Sequence, residues 1–131
     1  MRYLLLVGHA GLARGMQSAL EMLLGPREFI LSCGMEEGMG PQGFCKELET
    51  LLEPITEQDD VVLLADIAGG SPQKSALSML HNKGLGSKTL VFGGANLAMA
   101  IAAVMGLEDG LTMDTIKDAM LAEGAQAVRQ V

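Results

Sequence analysis

Four short apolar segments, each followed by a helical pattern, constrain the fold of this chain more than any other feature of its sequence. The segments cover residues 3–8, 29–33, 61–66 and 89–92. Each is mostly apolar and continuous rather than alternating, which is typical of strands covered on both faces of a parallel sheet. Strands and helices alternate with short connections, which favour right-handed crossovers. The sequence therefore predicts a doubly wound α/β fold with a parallel sheet.

Residues that start and stop helices bound the patterns between the strands. Helices are predicted over residues 12–23, 43–54, 71–84, 96–106 and 112–124. Ser71 is expected to be an N-cap with Pro72 at the first helical position, and Asn96 is expected to cap the fourth helix. Residues 125–131 follow the last helix and are predicted to form a short strand.

Length and composition exclude several classes of protein. The 131 residues contain no linker or repeat, so residues 1–131 are predicted to form a single domain. Nine basic and sixteen acidic residues give a net charge of −7, which argues against nucleic acid as a partner. No apolar stretch approaches the roughly 20 residues that span a bilayer. Cys33 and Cys45 lack metal-ligand spacing, so free thiols and no metal site are expected.

Three polar features fall where predicted strands end. His9 follows the first strand, Asp66 ends the third, and the residues 69–72 lead from the third strand into its helix. In a doubly wound sheet, ligands bind beyond the carboxyl ends of the strands, where the strand order reverses. If the first and third strands are neighbours, His9 and Asp66 face each other at that point.

This arrangement would suit phosphoryl transfer. A carboxylate that accepts a hydrogen bond from Nδ1–H of His9 would leave Nε2 with an outward lone pair. The amides of Gly70, Ser71 and Gln73, together with the Ser71 hydroxyl, could hold an anion at the start of the third helix. A neutral imidazole could then attack a phosphoryl group and keep it as a phosphoramidate. No group that would activate water is evident in the sequence, which favours a carrier.

Each of these features also has a purely structural interpretation. A histidine after a strand is often a turn residue, an aspartate there can cap a loop, and Ser-Pro is an ordinary helix start. A dinucleotide-binding domain would use Gly8, Gly11 and Gly15, but their spacing is not G-x-G-x-x-G. A non-catalytic α/β interaction module is a third alternative. His81 is expected to be structural, near a helix C-terminus.

Three segments together resemble the mannose-family enzyme IIA component of the bacterial sugar phosphotransferase system: "VGHAGLARGMQSALEMLLG", "LLADIAGGSPQKSA" and "VFGGANLAMAIA". The resemblance implies a four-stranded parallel sheet in the order 2-1-3-4 with helices on both faces. It also implies a cytoplasmic homodimer in which each C-terminal strand adds antiparallel to the partner's sheet. The unpaired residues 125–131 would suit that exchange.

By the same resemblance, His9 is phosphorylated by the phosphocarrier protein HPr and discharged to a IIB component during sugar uptake. Asp66 falls on the family's supporting carboxylate and Ser71 on its phosphate-facing hydroxyl, with no cofactor and only indirect contact with the membrane. A related alternative is the phosphocarrier subunit that feeds dihydroxyacetone kinase. Two positions depart from the family pattern, because Ala10 stands where Gly is usual and Ala98 where Pro is frequent. Neither departure removes a reacting group.

Overall fold

A single parallel sheet organises the chain, and the computed structural model describes all 131 residues. The strands are β1 (Arg2–His9), β2 (Ile30–Met35), β3 (Asp60–Ala65) and β4 (Thr89–Phe92). They lie in the order β2-β1-β3-β4, and every neighbouring pair is parallel. The expected order 2-1-3-4 is confirmed, and each strand lies within two residues of its predicted bounds.

Five helices connect and follow the strands: α1 (Leu12–Leu24), α2 (Gly40–Leu51), α3 (Ser71–Asn82), α4 (Leu97–Glu108) and α5 (Met113–Ala127). A short 3-10 turn at Gly86–Lys88 precedes β4 and was not predicted. None of these helices has the length and apolar character needed to cross a membrane.

Two helix starts differ from the sequence-based expectation. Helix α2 begins three residues early, because Pro41 occupies its first turn, where a missing N–H costs nothing. Helix α3 has Gly70 rather than Ser71 as its N-cap, so Ser71 is its first helical residue. The cap of α4 is confirmed, since Asn96 Oδ1 accepts a hydrogen bond from the Met99 amide at 3.0 Å.

The apolar strands are buried on both faces of the sheet. One face packs against α1 and α4, which α5 covers in turn, and its strand residues include Leu4, Leu6, Val62 and Leu64. The other face packs against α2 and α3, and its strand residues include Leu5, Val7, Val61 and Leu63. This two-sided burial is the physical reason that the strands are continuously apolar in the sequence.

The prediction of a strand over residues 125–131 is wrong for its first three residues. Helix α5 continues through Ala127, and the last four residues have no regular secondary structure. Gly124, which suggests a helix end in the sequence, instead lies buried inside α5, where a Cβ would come within 3.1 Å of Met99 Cβ. This glycine therefore permits close packing of α5 on α4 and does not end the helix.

The turn that follows β1 is held in one position by β2. Ala10 has a φ of +51°, in the left-handed region, and its amide donates a hydrogen bond to the Met35 carbonyl at 2.9 Å. A Cβ on Gly34 would lie only 2.2 Å from the Ala10 carbonyl oxygen, so β2 approaches this turn without a side chain in between. The turn immediately after His9 therefore packs directly against the backbone of β2.

We expect the substitution Ala10→Gly to increase the free energy of unfolding by about 0.5–1 kcal/mol. The left-handed conformation costs an L-residue about 1–2 kcal/mol, and the freedom of glycine in the unfolded chain offsets about 0.4–1 kcal/mol of that gain. Urea unfolding of both proteins measures the difference. The matched control is Gly69→Ala, at a φ of +78° with open space around it, which should lower the stability. A less stable Ala10→Gly protein would show that Ala10 is unstrained.

Candidate functional site

The first candidate residue, His9, ends β1, one of the two inner strands, at the carboxyl edge of the sheet. Strands β1 and β3 are direct neighbours, with Val7 paired to Ala65, so the residues that follow them meet at this edge. The expected adjacency of the first and third strands is therefore present. The His9 side chain is 47% exposed, which leaves part of the imidazole open to solvent.

Asp66 binds His9 twice through the same oxygen. Oδ2 accepts from the His9 amide at 2.8 Å and lies 2.9 Å from Nδ1 of the His9 ring. The other oxygen, Oδ1, accepts from the Ile67 amide at 2.8 Å. An ionised carboxylate can only accept, so this contact assigns the proton of a neutral imidazole to Nδ1. Nε2 is then the unprotonated ring nitrogen, and it has no hydrogen-bond partner within the chain.

The surroundings of Asp66 lower its pKa. Partial burial by itself raises the pKa of this carboxyl, because it disfavours the charged form. Hydrogen bonds from the His9 amide, the His9 ring and the Ile67 amide together outweigh that effect and bring the pKa below its ordinary value. Asp66 is therefore ionised at neutral pH, as a partner of the Nδ1–H group must be.

The start of α3 lies beside the imidazole. A Cβ built on Gly70 would be 3.4 Å from His9 Cε1, so the N-cap of α3 packs next to the ring. The amides of Ser71 and Gln73 have no acceptor in the chain, as is usual in the first turn of a helix. Free amides and the positive end of the helix dipole together favour an anion at this position.

The three residues expected to bind phosphate are engaged differently. The amide of Gly70 donates to the Ile67 carbonyl at 3.1 Å, so it is not the free donor that was expected. That bond closes a turn in the loop between β3 and α3. Gly70 instead matters because its lack of a side chain leaves room for the His9 ring. The Ser71 side chain is exposed and its hydroxyl has no partner in the chain. Gln73 Oε1 accepts from the Gly69 amide at 2.8 Å, which ties the side chain of Gln73 to the loop.

Sequence reasoning missed the contributions of Ile67 and Gly8. A backbone amide leaves no signal in the sequence, so the Ile67 donor could not be recognised. A Cβ on Gly8 would lie 3.1 Å from both Cγ and Oδ2 of Asp66, so the carboxylate approaches β1 where there is no side chain. The glycine directly before His9 was the one sequence signal that could have indicated this close approach.

Other residues singled out in the sequence lie elsewhere. Ala98 is in the first turn of α4 and lines a groove of about 300 Å³ whose walls include neither His9 nor Asp66. His81 is exposed in the last turn of α3. Cys33 and Cys45 are free, and burial raises the pKa of the Cys33 thiol to about 11. No three side chains of His, Cys, Asp or Glu lie together as a metal-binding group.

Acidic pH should remove the stabilisation that ionised Asp66 provides. A carboxyl whose pKa is lowered by folding contributes stability above its ordinary pKa of 3.8 and loses it as the pH falls through the folded-state value. The difference in unfolding free energy between wild type and Asp66→Asn should therefore shrink as the pH falls from about 5 to about 2. Urea unfolding across this range measures it.

Asp59, whose pKa is lowered mainly by a hydrogen bond from the N-terminal ammonium, titrates in both proteins and cancels from the difference. A wild-type-minus-variant difference that stays the same down to about pH 2 would contradict the ionised, hydrogen-bonded state of Asp66.

Comparison with known proteins identifies a family for nearly the whole chain. The family described as the PTS system fructose IIA component (EIIA-man) matches residues 3–121. No curated protein matches the chain significantly.

Solved structures share the fold at low sequence identity. The phosphotransferase system component EIIA from Streptococcus agalactiae has a TM-score of 0.83 at 21% identity, and the comparison covers 99% of this chain and 97% of that one. The mannose/sorbose specific IIA subunit from Enterococcus faecalis has a TM-score of 0.82 at 24% identity, covering 99% and 94%. A sigma-54 interaction domain protein from Enterococcus faecalis has a TM-score of 0.75 at 17% identity, covering 98% and 93%. The strand order, the helices on both faces and the family match over residues 3–121 agree, and the chain belongs to the mannose-type IIA family of phosphotransferase system components.

Proposed function

We propose that the chain is a phosphohistidine carrier in sugar uptake, which accepts a phosphoryl group from HPr on Nε2 of His9 and passes it to a IIB component. The observation that carries this proposal is the double contact of Asp66 Oδ2 with the His9 amide and Nδ1. That contact fixes the ring and directs its free lone pair to Nε2. The side chain is also exposed enough for a second protein to reach it.

In the proposed step, the Nε2 lone pair attacks phosphorus while the bond from phosphorus to the donor's leaving nitrogen breaks. The electron pair of that bond stays with the donor, and the His9 ring gains positive charge as the new N–P bond forms. Asp66 lies 2.9 Å from Nδ1 and stabilises this charge without taking the proton. Discharge to the acceptor is the same step reversed, with an acceptor nucleophile in place of the donor.

The start of α3 supports the phosphoryl oxygens in this proposal. The free amides of Ser71 and Gln73 and the Ser71 hydroxyl are donors beside the imidazole, at the positive end of the helix. Phosphoryl transfer depends mostly on such alignment and charge stabilisation. Both oxygens of Asp66 already accept hydrogen bonds, so the carboxylate is poorly placed to activate water against the phosphohistidine. A carrier needs that protection from hydrolysis.

The protein should take up one acid-labile, base-stable phosphate per chain when incubated with phosphoenolpyruvate, enzyme I and HPr, as measured by intact mass. His9→Ala should abolish the label, and the matched control His81→Ala should keep it, because His81 is exposed on a different part of α3. Asp66→Asn should slow labelling about 10- to 100-fold, since an amide cannot stabilise the charged ring as a carboxylate does.

Two results would contradict the proposal. Label that persists in His9→Ala would place the phosphate on another residue. Thermal stabilisation by NAD with no label would favour the dinucleotide-binding alternative.

Offering the labelled protein to a IIB component and, separately, to dihydroxyacetone kinase with its substrate distinguishes sugar uptake from the kinase-feeding role. We propose that this transfer takes place in the cytoplasm, and that the membrane is approached only through the transporter complex.

We further propose a homodimer in which the C-terminal residues of each chain pair with the sheet of the partner. Strand β4 has an open edge, with Val91 38% exposed. The tail after α5 is uncovered and has an apolar residue at each end, with Val128 79% exposed and Val131 fully exposed. Val128 also shares a small groove with Gly93 and Gly94, which places the start of the tail near the end of β4.

Light scattering after size exclusion should therefore give a dimer for the full chain. Deletion of residues 128–131 should shift the population toward monomer, because the strand that would cross is removed. The control is Arg129→Ala, which keeps the backbone hydrogen bonds of such a strand. A full chain that stays monomeric at about 100 µM would contradict the exchange, since this concentration favours any dimer of micromolar affinity.

A further inference from the structure

Gly93, the first residue after β4, is packed against the backbone of the loop between β3 and α3. A Cβ at this position would lie 2.4 Å from Ala68 Cβ, 2.5 Å from Ala68 Cα and 2.6 Å from the Ala68 amide nitrogen. Two of these are backbone atoms, so no side-chain rotation can relieve the overlap. The φ of Gly93 is not positive, so it is space rather than backbone conformation that requires glycine.

The loop that Gly93 contacts is rigidly joined to the functional site. The Gly94 amide donates to the Asp66 carbonyl at 3.1 Å, and the Ala95 amide to the Ala65 carbonyl at 3.0 Å. Within the loop, the Ile67 amide binds Asp66 Oδ1, and the Gly70 amide binds the Ile67 carbonyl. A displacement of Ala68 is therefore passed to the carboxylate on one side and to the start of α3 on the other.

Gly8 limits the position of Asp66 from the opposite side. Strand β3, which ends one residue before Asp66, lies between β1 and β4 in the sheet. A Cβ on Gly8 of β1 would meet the Asp66 carboxylate at 3.1 Å, which is a few tenths of an ångström too close. Gly8 thus limits the Asp66 carboxylate directly, whereas Gly93 limits the loop that follows Asp66.

We infer that Gly93 and Gly8 are positioning residues for the His9–Asp66 pair. We place neither glycine in contact with the phosphoryl group. Gly93 lets the backbone of Ala68 come close, and Gly8 lets the Asp66 carboxylate lie against β1 without being pushed aside. Their role in phosphoryl transfer rests on the proposed function of His9. Their role in setting the tautomer of His9 does not, because the tautomer follows from the contact between Asp66 and Nδ1 alone.

The ¹⁵N shifts of the His9 ring test this inference in the unphosphorylated protein at a pH where the ring is neutral. Wild type should show the Nδ1–H tautomer, whereas Gly93→Ala and Gly8→Ala should shift toward the Nε2–H tautomer that free histidine favours. The matched control is Gly15→Ala, in α1, where a Cβ meets nothing within 4 Å. That variant should keep the wild-type tautomer.

Labelling by phosphorylated HPr is the second readout. Gly93→Ala and Gly8→Ala should each slow it about 10- to 100-fold, as small misplacements of reacting groups do, while Gly15→Ala keeps the wild-type rate. Thermal melts identify any variant that is unfolded. If Gly93→Ala does not fold, the milder overlap in Gly8→Ala decides the question.

Folded Gly93→Ala and Gly8→Ala proteins with the wild-type tautomer would overturn the inference, whatever their labelling rates. If wild type takes up no phosphate, the proposed function fails, and the tautomer measurement still decides whether the two glycines position the pair.

Discussion

The carboxylate of Asp66 connects the architecture of this protein to its chemistry. It sits where two neighbouring parallel strands end, and it receives the amide and the ring of His9 on one oxygen and the Ile67 amide on the other. The sheet order is what makes this possible, because β1 and β3 must be adjacent for residues separated by 57 positions to meet. Without that contact, the imidazole would be one more exposed side chain at a turn.

Much of this could be predicted from the sequence. The four apolar segments predicted the strands, because burial on both faces leaves a continuous signal that needs no knowledge of tertiary contacts. His9 and Asp66 were recognisable because both follow such segments, and the carboxyl ends of parallel strands share an edge. The order of the strands followed from the resemblance to a known family, since periodicity carries no information about which strands are neighbours.

The remaining details depend on packing that a sequence does not display. Gly124 resembles a helix end, but its small size serves the contact between two helices, so α5 runs farther than predicted. The Gly70 amide was expected to be a free donor, yet a turn within the loop uses it. A sigma-54 interaction domain protein from Enterococcus faecalis shares the fold at 17% identity, and one fold can host several functions. The functional argument therefore rests on the geometry at His9.

The place of His9 at the end of an inner strand has a consequence for partly folded molecules. Its amide and its ring depend on the same carboxylate oxygen, and that carboxylate directly follows the neighbouring strand β3. Local fraying of either strand end would release both contacts in one event. The orientation of the imidazole is thus tied to cooperative folding, so under the proposed function an incompletely folded molecule would not accept a phosphoryl group.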